Sequence, residues 1–288
     1  MPVPIPGRAV ELLRRSTALI SSERRNSTAA GSALSLTDEK LVTNAHVLNG
    51  SHFLVESWEG KTVRGVVLKI DRDRDLALLH APGLGAPPAV LADSETIRPG
   101  TPVIAVGNPL GFRGAVSAGT IHTVGLISMP GANPLAHRRW ICADVHLAPG
   151  NSGGPLADWQ GRVIGINTMV ISGGLALAIP SRAVQAFLSR MKPRTLGVSL
   201  RPVYSASQRF GLLILEVAPG GPAASASLLP GDILVGASQK PFRYLDDLEL
   251  LLTERPEPVI TLQFHRGGDG KERSVTVQFA TEPVTTAA

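Results

Sequence analysis

The sequence predicts a mainly β protein in two parts, a barrel or sandwich of short strands followed by a smaller α/β module. From Ala29 to about Ile179, short apolar runs are broken every few residues by Gly, Pro, Asn or Asp, in a chain with 30 Gly, 23 Pro and only 4% aromatics. That spacing fits antiparallel strands rather than strand–helix–strand units. After Pro193 the pattern changes to alternating strand and helix signals over about ninety residues, enough for one small module. A chain of 288 residues also exceeds the common single-domain length.

Taken in order, residues 1–28 read as a basic N-terminal arm with one short helical candidate, Arg8–Ile20, whose apolar positions are Val10, Leu13 and Ile20. Its five arginines, Arg8, Arg14, Arg15, Arg24 and Arg25, face only Glu11 and Glu23 and supply part of the net charge of +5. No aromatic precedes Phe53, so the basic–aromatic interleaving of a nucleic-acid binder is missing and a solvated arm is expected.

Residues 29–192 form the first domain, with strands expected at Ala33–Leu36, Lys40–Asn44, Phe53–Ser57, Thr62–Ile70, Leu76–His80, Pro102–Gly107, Ala115–Val124, Ile141–Ala143, Pro155–Ala157, Val163–Met169 and Leu175–Ile179. A helix capped by Ser181 should run through Val184, Phe187, Leu188 and Met191 until Pro193 stops it. The second domain, 193–282, is expected to hold strands at Leu196–Leu200, Leu212–Ala218, Asp232–Ser238, Val259–Phe264 and Ser274–Phe279. Its helices are expected at Ala223–Leu228 and Tyr244–Thr253, and residues 283–288 are a tail.

The single cysteine, Cys142, excludes an intrachain disulfide; between Ile141 and Ala143 it reads as a buried structural thiol. No run approaches the ~18 apolar residues of a membrane span. The start, Met1-Pro-Val-Pro-Ile-Pro, lacks the basic-then-apolar pattern of an export signal.

Chemistry concentrates in three places. Gly150-Asn151-Ser152-Gly153-Gly154-Pro155 sets a serine in a glycine-rich turn, where small neighbours admit a substrate carbonyl and backbone amides can face a developing oxyanion. The donors expected there are the amides of Gly150 and Ser152, with Asn151 between them. His46 closes the apolar stretch Leu41-Val42-Thr43-Asn44-Ala45, at an element end where a ring can act as base. Asp75 leads directly into the apolar Leu76-Ala77-Leu78-Leu79, as an orienting carboxylate would; Asp71 and Asp73 are its competitors and read as turn residues.

The order His, Asp, Ser is that of double-barrel serine proteases. With Thr43-Asn44-Ala45-His46-Val47, Gly107-Asn108-Pro109-Leu110-Gly111, Gly165-Ile166-Asn167-Thr168 and Ala178-Ile179-Pro180-Ser181, these motifs resemble the HtrA (Deg) family from about residue 29 to 280. The resemblance implies a trypsin-like double β-barrel followed by a small α/β PDZ domain, a catalytic triad of His46, Asp75 and Ser152, no metal or organic cofactor, and ATP-independent cleavage of unfolded or misfolded proteins. It implies a substrate pocket at His146, Asn167, Thr168 and Met169. Thr195-Leu196-Gly197-Val198, Val217-Ala218-Pro219-Gly220-Gly221-Pro222-Ala223-Ala224 and Leu229-Pro230-Gly231-Asp232-Ile233-Leu234 resemble a PDZ domain, in which the amides near Leu196–Val198 receive a peptide C-terminus.

The sequence departs from the family in several places. Homo-oligomeric members pack N-terminal aromatics at a trimer contact; here a trimer would have to use Leu12, Leu13 and Ile20. The family is usually periplasmic or otherwise extracytoplasmic, and no export pattern is present. His146 stands where a small residue is usual. Asn151 replaces the ionisable aspartate that pairs with a processed N-terminus in related enzymes, which favours control by loop rearrangement.

Overall fold

The structure is a computed structural model and describes residues 6–22, 30–48, 52–126, 138–171, 174–189, 194–204, 209–254, 258–267 and 271–279. The chain separates into two compact units, Met1–Leu188 and Ser189–Ala288.

The first unit opens with helix α1 (Gly7–Arg15) and strand β1 (Thr17–Ser22). Then come β2 (Ala30–Ser35), β3 (Lys40–Thr43), β4 (His52–Glu56), β5 (Thr62–Asp71) and β6 (Leu76–His80), which close with β1 into a barrel of order β1-β2-β3-β6-β5-β4. A second closed barrel follows from β7 (Pro102–Gly107), β8 (Ala115–Leu126), β9 (Arg139–Asp144), β10 (Pro155–Asp158), β11 (Val163–Val170) and β12 (Ala176–Pro180), in the order β10-β11-β12-β9-β8-β7.

Near-continuous apolar runs mark strands buried on both faces. In β7, Val103 and Ala105 point into the second barrel while Ile104 and Val106 point out to a seam. Leu34, Val42 and Leu76 of the first barrel meet that seam, and Trp140, Cys142 and Ile166 complete it from the second. Val184 and Phe187 of α2 (Ser181–Leu188) cover one side. Cys142 is buried there, and burial raises its thiol pKa.

The N-terminal segment corrects the expectation of a solvated arm. The expected helix stops at Arg15, and Thr17–Ser22 is the strand that closes the first barrel, pairing with both β2 and β4. Leu13 and Ile20 are core residues and so are spent inside the protein; of the three aliphatics considered for a trimer contact, only Leu12 is exposed. Arg14 lies 4.6 Å from the Trp58 ring centroid and donates to the Gly114 carbonyl, while Arg15 pairs with Glu59. Arg24 and Arg25 lie outside the described residues. Ser181, expected as a cap, is the first helical residue and donates its hydroxyl to the Ala92 carbonyl. α2 ends at Leu188, since Ser189 is already non-helical, short of the expected run to Met191; residues 190–193 and the tail 283–288 lie outside the described residues.

The second unit is a sheet of order β13-β14-β15-β17-β18, formed by β13 (Val198–Tyr204), β14 (Phe210–Val217), β15 (Ile233–Ala237), β17 (Val259–His265) and β18 (Glu272–Gln278), with the two-residue β16 (Lys240–Pro241) paired to β15. Helices α3 (Pro222–Ser225) and α4 (Leu245–Glu254) contribute Ala223, Leu248 and Leu252 to a core with Leu212, Ile214, Leu234, Leu262 and Val277.

Asp232, 1% exposed, follows the Pro230-Gly231 turn; it accepts from the Leu229 amide at 2.9 Å and pairs with Arg266 through both oxygens at 2.7 and 2.6 Å. Burial alone would raise its pKa, but the Arg266 and Leu229 hydrogen bonds outweigh it and hold the carboxyl below its ordinary value. A lowered folded-state pKa contributes stability above the unfolded value of about 3.9 that is lost as pH falls through the folded one. Arg266→Ala, which strands a buried carboxylate, is expected to lower stability by about 2 kcal/mol at pH 7, the value reduced by the partial exposure of the guanidinium. The difference from wild type in urea unfolding should shrink below about pH 4 as Asp232 protonates.

Candidate active site

Each reactive side chain sits where a strand ends. β3 delivers His46 on a short 3-10 turn, Ala45–Val47. The loop before β6 delivers Asp75 with φ 56, a left-handed conformation that aspartate tolerates better than most residues. Its carbonyl is held by the Ala45 amide and by Asn44 Nδ2, both reaching across from the histidine's own turn. The Asp75 carboxylate accepts from the His46 amide through Oδ1 at 2.9 Å and lies 2.7 Å from His46 Nδ1 through Oδ2. An ionised carboxylate only accepts, so this contact calls for the proton on Nδ1, the tautomer that in a neutral imidazole leaves Nε2 as the acceptor. The His46 side chain is half exposed and Asp75 mostly buried, at 49% and 14%. Asp71 instead binds Arg74 within its own turn, and Asp73 is exposed.

Ser152 lies between Gly150 (φ 106) and Gly153 (φ 87). A Cβ at Gly153 would run into the Ser32 carbonyl and the Thr43 hydroxyl, so only glycine fits this close approach. The turn is locked to β11 by Gly153 N–H on Asn167 O at 2.8 Å and Asn167 N–H on Gly154 O at 2.9 Å.

Thr168 joins the parts, a role that sequence reasoning missed in placing it in the substrate pocket. Its hydroxyl donates to Asp75 Oδ2 at 2.7 Å and its carbonyl accepts from Ser152 Oγ at 2.8 Å. One residue thus touches both the serine and the carboxylate. Among the described residues, no hydrogen bond joins Ser152 to the His46 ring; the hydroxyl proton rests on Thr168.

The amides expected to face an oxyanion divide. Pro149 O accepts from Leu110 N at 3.0 Å and Asn151 O from Gly154 N at 3.0 Å. Trans peptides turn the next amides, Gly150 N–H and Ser152 N–H, to the opposite side, where neither has a partner among the described residues. Asn151 is different, since its amide donates to Ala148 O at 3.0 Å and its side chain to the same carbonyl at 3.1 Å. Its backbone amide is thus spent on shaping the turn rather than on an oxyanion.

The four expected pocket residues also divide. His146 is exposed, its amide donating to Ser117 Oγ, and Met169 is partly buried against the seam. Asn167 is fully buried and donates to Pro155 O at 2.8 Å, which makes it a brace between β10 and β11 rather than a pocket wall. Thr168 is equally enclosed. Among the described residues, no cluster of three or more His, Cys, Asp or Glu is placed to hold a metal ion, and no helix is long and apolar enough to cross a membrane.

In the second unit, Thr195 is exposed, Leu196 enters the core, and Gly197 takes φ 72 before the chain becomes β13. Among the described residues β13 pairs only with β14, and no strand lies on its other edge. A separate concavity of about 1480 Å³ involves Tyr204, Phe210, Ile233, Phe242 and Thr261 and does not include residues 195–198.

A family profile for the trypsin-like peptidase domain matches residues 31–166, and one for the PDZ domain matches 195–278. HhoB of Synechocystis sp. is 35% identical over 236 residues, 74% of this chain and 56% of its own. Serine protease HTRA1 of Xenopus laevis is 29% identical over 279 residues, 86% of this chain and 60% of its own. The chain therefore spans little more than half the length of these curated relatives. The solved structure of the HtrA-type protease AlgW with a tripeptide superposes with a TM-score of 0.72 at 27% identity, covering 94% of this chain and 95% of that one.

Proposed function

Because the chain belongs to the HtrA family, with a trypsin-like peptidase domain followed by one PDZ domain, we propose that it is an ATP-independent serine endopeptidase acting on unfolded or misfolded proteins. His46, Asp75 and Ser152 form the triad. The observation carrying this reading is the 2.7 Å contact of Asp75 Oδ2 with His46 Nδ1, with Thr168 linking that carboxylate to the serine. A rotation about the Ser152 Cα–Cβ bond exchanges the Thr168 carbonyl for His46 Nε2 as proton acceptor. Attack on the scissile carbonyl then places the oxyanion before the Gly150 and Ser152 amides, and the imidazolium, steadied by Asp75, protonates the leaving amine. Water resolves the acyl-enzyme by the reverse sequence. The exposed His146 and partly buried Met169 border the side-chain pocket.

The PDZ domain binds peptide C-termini. An extended peptide adds to the open edge of β13, its carboxylate on the amides of Thr195-Leu196-Gly197-Val198. A peptide with a free C-terminus is expected to bind at least tenfold more tightly than its amide, measured by fluorescence anisotropy; equal affinities would remove this mode.

A second reading, a catalytically silent peptide-binding scaffold, draws on the Ser152 hydroxyl resting on Thr168. A fluorophosphonate probe separates the two. Labelling at Ser152 together with casein cleavage is expected of the protease; absence of both, with and without a C-terminal peptide, leaves the scaffold.

A further inference from the structure

We infer that Ser32 and Asn108, one from each barrel, are positioning residues that set the direction of the oxyanion amides. The inference rests on the protease reading above and adds to it a buried hydrogen-bond node.

Ser32 lies on β2 and is fully buried; Asn108 follows β7 and is 2% exposed. Ser32 Oγ donates to Gly150 O at 2.7 Å and accepts from the Asn108 backbone amide at 2.9 Å and Asn108 Nδ2 at 3.1 Å. One hydroxyl proton and both lone pairs are thereby used. The second Nδ2 proton of Asn108 goes to Ala18 O at 2.9 Å on β1, and its Oδ1 accepts from Gly114 N at 3.0 Å. The Ser32 backbone takes part as well, its amide donating to Ser152 O at 2.8 Å.

These bonds converge on the serine turn. Gly150 O is held by the Ser32 hydroxyl, Ser152 O by the Ser32 amide, and Pro149 O by Leu110 N in the segment that Asn108 ties down at both ends. With Asn151 O closed on Gly154 N, every carbonyl from 149 to 152 is fixed. Planar trans peptides then leave the Gly150 and Ser152 amides one direction each. Donors fixed before reaction need no reorganisation as charge develops, which is the source of their catalytic value. Neither Ser32 nor Asn108 touches substrate.

The test compares wild type with Ser32→Ala and Asn108→Ala in the full chain, using one peptide substrate. It also uses a peptide boronate, whose tetrahedral adduct offers an oxygen to the two amides, and a peptide with a reduced scissile bond, which has no such oxygen. Each variant is expected to lose about tenfold to hundredfold in kcat and a similar factor in boronate affinity. KM and affinity for the reduced-bond peptide should stay within about twofold. Ser32→Cys, which keeps the shape with a weaker donor, should fall between and serves if alanine prevents folding. Unchanged kcat, or equal losses for boronate and reduced-bond peptide, would overturn the role. A wild type that neither cleaves nor labels would instead defeat the protease reading itself.

Discussion

Ser152→Ala is expected to lower kcat on an unfolded protein by about a million-fold, with His46→Ala costing a similar factor and the double variant little more. The reason is that the two side chains make one reactive unit. A serine hydroxyl is a poor nucleophile until a base accepts its proton, and an imidazole at this site has no other partner to activate. The Gly150 and Ser152 amides survive both substitutions, so a residual thousandfold or more over the uncatalysed rate should remain. Because the serine turn is anchored through backbone bonds, the Ser152 carbonyl to the Ser32 amide and the Gly153 amide to Asn167 O, loss of the hydroxyl should leave thermal melting almost unchanged. Casein cleavage by purified variants measures the first effect and calorimetry the second. A Ser152→Ala protein that keeps more than about a thousandth of wild-type kcat would place the nucleophile elsewhere.

Asp75→Asn should cost about ten-thousandfold in kcat while the fold persists. Both carboxylate oxygens face donors, Oδ1 the His46 amide and Oδ2 the His46 ring and the Thr168 hydroxyl. An amide replaces one of these acceptors with a donor. To pair with it the imidazole must move its proton to Nε2, the nitrogen that has to accept from serine. Asparagine tolerates the left-handed backbone at this position as aspartate does, so the damage is chemical rather than conformational. The neighbouring Asp73→Asn, at an exposed turn, should leave kcat within about threefold and serves as the control. Comparable losses at both positions would mean that the loop, not the carboxylate, matters.

The strands most legible in the sequence are those with apolar residues on both faces. Leu76–His80 and Pro102–Gly107 have the expected limits because each run is continuous and is bounded by Asp75 or by the residues around Pro102 and Asn108. β1 was hidden for the opposite reason: Thr17-Ala-Leu-Ile follows α1 with no Gly or Pro between them, and β4, the partner that closes the barrel on it, is more than thirty positions on. The reactive residues were legible because each stands in a local motif. Thr168, Ser32 and Asn108 were not, since their tasks exist only through contacts such as Ser32 to Gly150, 118 positions apart. The enclosure of Asn167 was equally illegible, since β11 is buried from Val163 to Thr168 and its register shifts between Asn167 and Met169, where simple alternation fails.

The seam of Leu34, Val42 and Leu76 against Ile104, Val106, Trp140 and Ile166 adds to the two barrel cores an apolar joint that both barrels share. Neither barrel can come apart without exposing apolar surface on the other, so fragments divided between β6 and β7 would be poor independent folders. On the protease reading, the groups that would do the chemistry and the cooperativity of unfolding therefore depend on the same joint.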